Sequence, residues 1–158
     1  MRALIAGTFD PITVGHSDLI QRASLMFDEI VVVIFNNSEK QNFFTDEQRV
    51  EMAKITCAEI NRNIRIDSHD GMLAEYMKTN NINIIIKGVR NVSDFTYEYI
   101  LSEINRSVYG DIETIFLPSK PGYQHVSSSV VREFLKHGAD ISKLVPKSVL
   151  EYIKGVKK

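Results

Sequence analysis

Short apolar runs alternate along this chain with longer segments whose apolar positions recur every three or four residues. Ile30-Val31-Val32-Val33-Ile34 and Ile84-Ile85-Ile86 are unbroken and β-branched, as suits strands covered on both faces. The pattern predicts strands over Arg2–Ala6, Glu29–Phe35, Ile64–Asp67, Asn83–Lys87 and Glu113–Leu117. Between them it predicts helices near His16–Phe27, Asp46–Glu59, Met72–Thr79 and Ser93–Tyr109. Two short helices follow, near Ser128–Lys136 and Pro146–Lys154, punctuated by Gly138 and Pro146. In the first helix Leu19, Ile20, Ala23, Met26 and Phe27 share one face. Thr45 and Gln48 have the spacing of a capping box at the second.

Five strands alternating with helices predict an α/β fold, a parallel sheet with helices on both faces. Such sheets bind ligands beyond the carboxyl ends of their strands, where the strand order reverses. The segments to inspect are therefore Gly7–His16, Asn36–Phe44, Ser68–Leu73, Lys87–Arg90 and Pro118–Ser129.

The length, 158 residues, favours one domain. A chain of that size buries roughly 70% of its unfolded surface, enough for a full core. The net charge of −1 gives no bulk reason to expect a nucleic-acid or membrane partner, so any anion site must rest on locally grouped cations. Cys57, the sole cysteine, rules out an intramolecular disulfide. It shares a helical face with Val50, Ala53 and Ile60, which makes it a core residue. The absence of a long apolar stretch or a signal-like start points to the cytoplasm.

Gly7-Thr8-Phe9-Asp10-Pro11 joins the first strand to a helix that begins near His16. A helix N-terminus offers free N–H groups and a partial positive charge, which suit a phosphate, and His16 adds a side-chain donor. A plain turn shaped by Gly, Asp and Pro accounts for the same residues equally well. The segment is not G-x-G-x-x-G, and the chain has no Walker A sequence. Lys87-Gly88-Val89-Arg90 sets two cations around a glycine at a strand end. The glycine permits close approach and the cations suit phosphate oxygens. Ser127-Ser128-Ser129 opens a helix and is either a phosphate cradle or an N-cap cluster. Lys40, alone in its loop, is weaker. Tyr97 reads first as a core or interface residue, Glu98 as solvated, and His69 and His137 as surface histidines. No Cys/His/carboxylate cluster has structural zinc spacing.

Taken together, G-T-F-D-P, T-x-G-H, K-G-V-R followed by D-F-x-Y-E, and S-S-S-x-V-R resemble the phosphopantetheine adenylyltransferase family. The likeness runs from Ala3 to about Pro146. That family belongs to the nucleotidyltransferases related in fold to class I aminoacyl-tRNA synthetases. The resemblance implies a single nucleotidyltransferase domain over residues 1–158, with a doubly wound, Rossmann-like sheet in the order 3-2-1-4-5. It implies transfer of AMP from ATP, with Mg²⁺, to 4′-phosphopantetheine, giving dephospho-CoA and pyrophosphate in coenzyme A synthesis. It implies catalytic roles for His16, Thr8, Lys40 and Arg90. ATP would meet Thr8, Phe9, His16, Gly88, Val89, Arg90, Glu98 and the run Tyr123, Gln124, His125, Val126, Ser127, Ser128 and Ser129. The acceptor would meet Thr8, Lys40, Leu73 and Lys87. The assembly implied is a homohexamer.

The chain departs from that family at three places. Lys87 stands where arginine is common, Ala6 where proline is, and His125 where an aromatic residue is. Lys87 keeps the charge but loses the bidentate fork. The implied chemistry needs no general base, because a phosphate monoester with a second pKa of about 6 is mostly dianionic at neutral pH. Competing expectations are a related nucleotidyltransferase acting on nicotinamide mononucleotide or another phosphorylated acceptor, a non-catalytic nucleotide-binding module, and a flavodoxin-like carrier.

Overall fold

The computed structural model describes residues 1–36, 42–60 and 62–156. Five strands form one parallel sheet: β1 Arg2–Gly7, β2 Glu29–Asn36, β3 Ile64–Asp70, β4 Ile84–Val89 and β5 Glu113–Pro118. Their spatial order is β3-β2-β1-β4-β5, as the resemblance implies, and every neighbouring pair is parallel. The order reverses between β1 and β4, which pair at Leu4 and Ile85. The helices are α1 Val14–Ser24, α2 Asp46–Ile60, α3 Leu73–Thr79, α4 Val92–Tyr109, α5 Ser128–Lys136 and α6 Lys147–Val156.

Two hydrophobic layers sandwich the sheet, and the period-two alternation of the strands assigns residues to each. Ala3 and Ile5 of β1 and Ile30, Val32 and Ile34 of β2 face one layer. There they meet Ile20 of α1, Met52 and Cys57 of α2, Val131 of α5 and Val149 of α6. Leu4, Val31, Val33 and Ile85 face the other layer, with Ala74, Tyr76 and Met77 of α3. Cys57 is buried as expected, and burial pushes its thiol up to about 12, which makes it inert near neutral pH.

The capping box at α2 forms as the spacing predicts. Thr45 N–H donates to Gln48 Oε1 at 3.0 Å, and Gln48 N–H donates to Thr45 Oγ1 at 3.3 Å. Three expectations need correction. First, α1 ends at Ser24, so Met26 lies past the helix and is 51% exposed rather than part of the buried face. Secondly, α4 buries none of its residues, and of the two readings of Tyr97, core or interface, its 62% exposure removes the first. Thirdly, His69 is no simple surface residue. Its ring packs edge-on against Phe35 at 5.7 Å and lies tilted against Tyr76 at 5.2 Å, and its Nε2 is shielded without a hydrogen-bond partner. His137 is exposed and pairs with Glu133.

Candidate active site

A crevice of about 330 Å³ opens at the carboxyl ends of β1 and β4, where the strand order reverses. Its first wall is the turn after β1. The chain leaves the strand at Gly7 and folds back at Phe9, whose φ of +48° is left-handed. A Cβ on Gly7 would lie 3.1 Å from the Phe9 ring, so glycine makes room for the fold-back. Phe9 is buried and meets the His16 ring edge-on, with centroids 5.0 Å apart.

The helix begins two residues earlier than the sequence pattern suggests, at Val14, with Thr13 as its N-cap. His16 is therefore the third helical residue and completes a capping box. Thr13 Oγ1 accepts from His16 N–H at 3.3 Å, and Thr13 N–H donates to His16 Nδ1 at 3.1 Å. An Nδ1 that accepts leaves the ring proton on Nε2. Burial, and secondarily the Arg90 guanidinium, push His16 down to about 4. The imidazole is thus a neutral donor at physiological pH.

The second wall is the end of β4, which runs past the expected Lys87 to Val89. Gly88 pairs with Leu117 and Val89 with Pro118. A Cβ on Gly88 would sit 3.1 Å from Leu19 Cδ2, so the glycine lets α1 lie close over β4. Lys87 and Arg90 both line the crevice. Each is held by an acid on α4: Lys87 Nζ lies 3.1 Å from Glu98 Oε2, and Arg90 NH2 lies 3.3 Å from Asp94 Oδ1. The expectation that Glu98 is merely solvated is corrected here. It lies one turn after Asp94, the two acids face the crevice, and only 20% of its side chain is exposed.

The third wall is the start of α5, with Ser127, Ser128 and Ser129. Their hydroxyls are already engaged. Ser127 Oγ caps the helix by accepting from Val130 N–H at 3.2 Å. Ser128 Oγ donates to Pro11 O at 2.8 Å, and Ser129 Oγ accepts from Arg132 at 3.1 Å. What this wall offers an anion is chiefly the N–H groups of the first helical turn, which have no intrahelical partner.

Of the residues singled out from the sequence, Phe9, His16, Lys87, Gly88, Arg90, Glu98, Tyr123, Val126 and the three serines line this crevice. Thr8 is exposed between two lining residues, and Val89, Gln124, His125 and Leu73 are not among the lining ones. Gln124 instead accepts from Gly122 N–H at 2.9 Å. Lys40 lies outside the described residues.

Sequence reasoning missed the residues that hold the walls together. Asp10 is 4% exposed, and its carboxylate accepts from Phe43 and Phe44 N–H, both at 2.9 Å. Arg132 donates to Asp10 O at 2.7 Å and so ties α5 to the same turn. Arg49 is fully buried, donates to Thr8 O at 2.7 Å and Phe35 O at 3.2 Å, and pairs with Asp46. One signal was available for Arg49: it falls on the face of α2 that also carries Met52, Ala53 and Thr56. Among the described residues, no three or more His, Cys, Asp or Glu side chains group as a metal cage. No described helix is long and apolar enough to cross a membrane.

A doubly wound sheet with a cationic crevice at its switch point is the architecture of a nucleotide-handling α/β protein. The chain belongs to the cytidylyltransferase-like family, which it matches over residues 4–134, and is therefore a nucleotidyltransferase. Two solved structures share the fold. One, from Vibrio parahaemolyticus, is assigned as a nicotinate-nucleotide adenylyltransferase. It superposes with a TM-score of 0.72 at 16% identity, over 98% of this chain and 91% of the other. The second is the Plasmodium falciparum nicotinic acid mononucleotide adenylyltransferase in complex with NaAD. Its TM-score is 0.74 at 20% identity, over 98% of this chain and 95% of the other.

Proposed function

We propose that this chain transfers the adenylyl group of ATP to 4′-phosphopantetheine, giving dephospho-CoA and pyrophosphate. The observation that carries the reading is the meeting of three separated segments around one crevice. They are the turn from Gly7 to His16, the strand end Lys87–Arg90 with Glu98, and the run Ser127–Ser129. That combination carries the resemblance to the phosphopantetheine enzymes.

In this reading the acceptor's phosphate oxygen attacks the α-phosphorus of ATP in line, and pyrophosphate leaves without a covalent enzyme intermediate. The dianionic nucleophile needs no general base. Its difficulty is repulsion from a polyanion. Arg90, Lys87 and the N–H groups at the start of α5 supply the opposing charge, with Lys40 as a further cation. His16 Nε2–H donates to an α-phosphate oxygen as charge builds in the transition state. Mg²⁺ enters as part of the nucleotide substrate and takes its ligands from the phosphate oxygens. The working form is a homo-oligomer, six subunits by the resemblance, and the cell compartment is the cytoplasm.

A second reading takes nicotinate mononucleotide as the acceptor and is favoured by the two solved structures that share the fold. Product analysis after mixing the pure protein with ATP, Mg²⁺ and each acceptor decides. Dephospho-CoA supports the first reading. A dinucleotide product formed from nicotinate mononucleotide alone overturns it.

A further inference from the structure

The turn after β1 contains a strained peptide with a charged grip on one end. Phe9 carries a large side chain, yet its φ of +48° is left-handed. The carbonyl before it, Thr8 O, accepts from NH1 of Arg49 at 2.7 Å, a charge-assisted bond. Arg49 is fully buried on α2, donates also to Phe35 O at 3.2 Å and pairs with Asp46. No residue of α2 lines the crevice, so the guanidinium holds Thr8 from outside it. The Thr8–Phe9 bond is trans, and in a trans peptide the N–H and C=O point in opposite directions. With the oxygen held toward α2, the Phe9 N–H is turned to the other side, where Phe9 lines the crevice. Phe9 is 3% exposed, and no described residue accepts from that N–H. A buried N–H without an acceptor is rare in folded chains, and here it adjoins a ligand crevice.

We propose that Arg49 is a positioning residue: it holds the Thr8–Phe9 peptide with its N–H toward the crevice, as a donor to a nucleotide phosphate. This rests on the reading that ATP occupies the crevice. Two orientations of that peptide compete. A half-turn of its plane returns Phe9 to negative φ, the ordinary region for an L-residue, and relieves the local strain. The same half-turn brings Thr8 O toward the crevice, where it repels a phosphate, and takes the donor away. By local preference alone the turn favours the orientation that does not bind. The Arg49 bond to Thr8 O exists only in the strained orientation and opposes the flip. Phe35 O and Asp46 fix the guanidinium, so the grip is complete without a ligand. The strain is held in the free protein, and ATP meets a donor already in place.

The test joins NMR to isothermal titration on the full chain. Arg49→Met combined with Asp46→Asn removes the grip and keeps the net charge, so long-range attraction for ATP is preserved. The three-bond HN–Hα coupling of Phe9 reports its φ. The wild type should show the left-handed value, and the double variant the larger value of a negative, extended φ. ATP with Mg²⁺ should bind the double variant about tenfold or more weakly, as for a lost hydrogen bond to a charged group. Adenosine, which has no phosphate, should bind as before. Arg49→Lys keeps the charge with a single nitrogen in place of the fork, and should move both readings in the same direction by less. It serves where the double variant does not fold. An unchanged Phe9 coupling in the folded double variant, or in Arg49→Lys where that one does not fold, overturns the proposal. So does an equal loss of ATP and adenosine, which marks general loosening, or a changed coupling with unaltered ATP affinity. Wild-type protein that shows the left-handed coupling and binds no ATP refutes the nucleotide reading instead, so the two failures are distinguishable.

Discussion

The backbone N–H of Thr13 donates to Nδ1 of His16 at 3.1 Å, so the turn that shapes the crevice also sets the tautomer of its histidine. The proton is thereby left on Nε2, and the half-buried ring stays neutral. A neutral donor contributes little to holding ground-state ATP but can stabilise charge that appears only during transfer. His16→Ala should therefore lower kcat roughly 10²–10³-fold while changing ATP affinity little. Steady-state kinetics with ATP varied would show it. An unchanged kcat with a raised KM for ATP would make His16 a binding group alone.

The same burial couples His16 to stability in acid. Its folded-state pKa of about 4 lies below the ordinary 6.5, so the unfolded chain binds the extra proton first. Between those values stability should rise with pH, and the loss is complete only below the folded value. From about pH 7 to about pH 4.5 the expected penalty from this one group is about 2 kcal/mol. His16→Gln should lack it. Urea midpoints of both proteins at the two pH values measure the difference. Parallel losses would show that the ring is not desolvated in the folded chain.

Arg90 and Ser129 sit on different walls and should respond differently. A charged hydrogen bond contributes about 1.5–3 kcal/mol, so Arg90→Ala should weaken ATP by about tenfold or more. Ser129 already accepts from Arg132 at 3.1 Å, which leaves its hydroxyl less available to a phosphate. Ser129→Ala should therefore be the milder change. Equal effects, or none from Arg90→Ala, would contradict the geometry.

The sheet was legible because continuous apolar runs such as Ile30–Ile34 suit strands covered on both faces, whereas its order came from the family resemblance, since no run says which strand it pairs with. The strand ends were less so. Pairing with β5 carries β4 two residues past Lys87, and no local signal marks where such pairing stops. The walls of the crevice were legible where glycine, cations and hydroxyls cluster in sequence. The groups that brace them were not. Asp10 and Arg132 lie 122 residues apart, and each looks like an ordinary turn or helix residue until the chain is folded. Glu98 reached the site only through the family resemblance, because its partner is on a strand and helix periodicity, which reads it as solvated, describes only the helix's own faces.

The last prediction concerns α4, whose large apolar side chains the fold leaves open. Val92 is 81% exposed, Phe95 41%, Tyr97 62%, Tyr99 48%, Ile100 54%, Ile104 50% and Val108 62%. Monomeric proteins seldom show a contiguous apolar patch of more than a few hundred Å². The opposite face of the same helix carries Asp94 and Glu98 into the crevice, so a partner seated on α4 would also steady the acids that hold Arg90 and Lys87. Light scattering at micromolar concentration should return a multiple of the chain mass, six by the resemblance. Replacing Tyr97 and Ile100 together by Asp should shift the protein toward monomer, raise KM for both substrates and leave the sheet intact by circular dichroism. A wild-type monomer would refute the assembly. A dissociated variant with unchanged KM values would show that the crevice works without its neighbour.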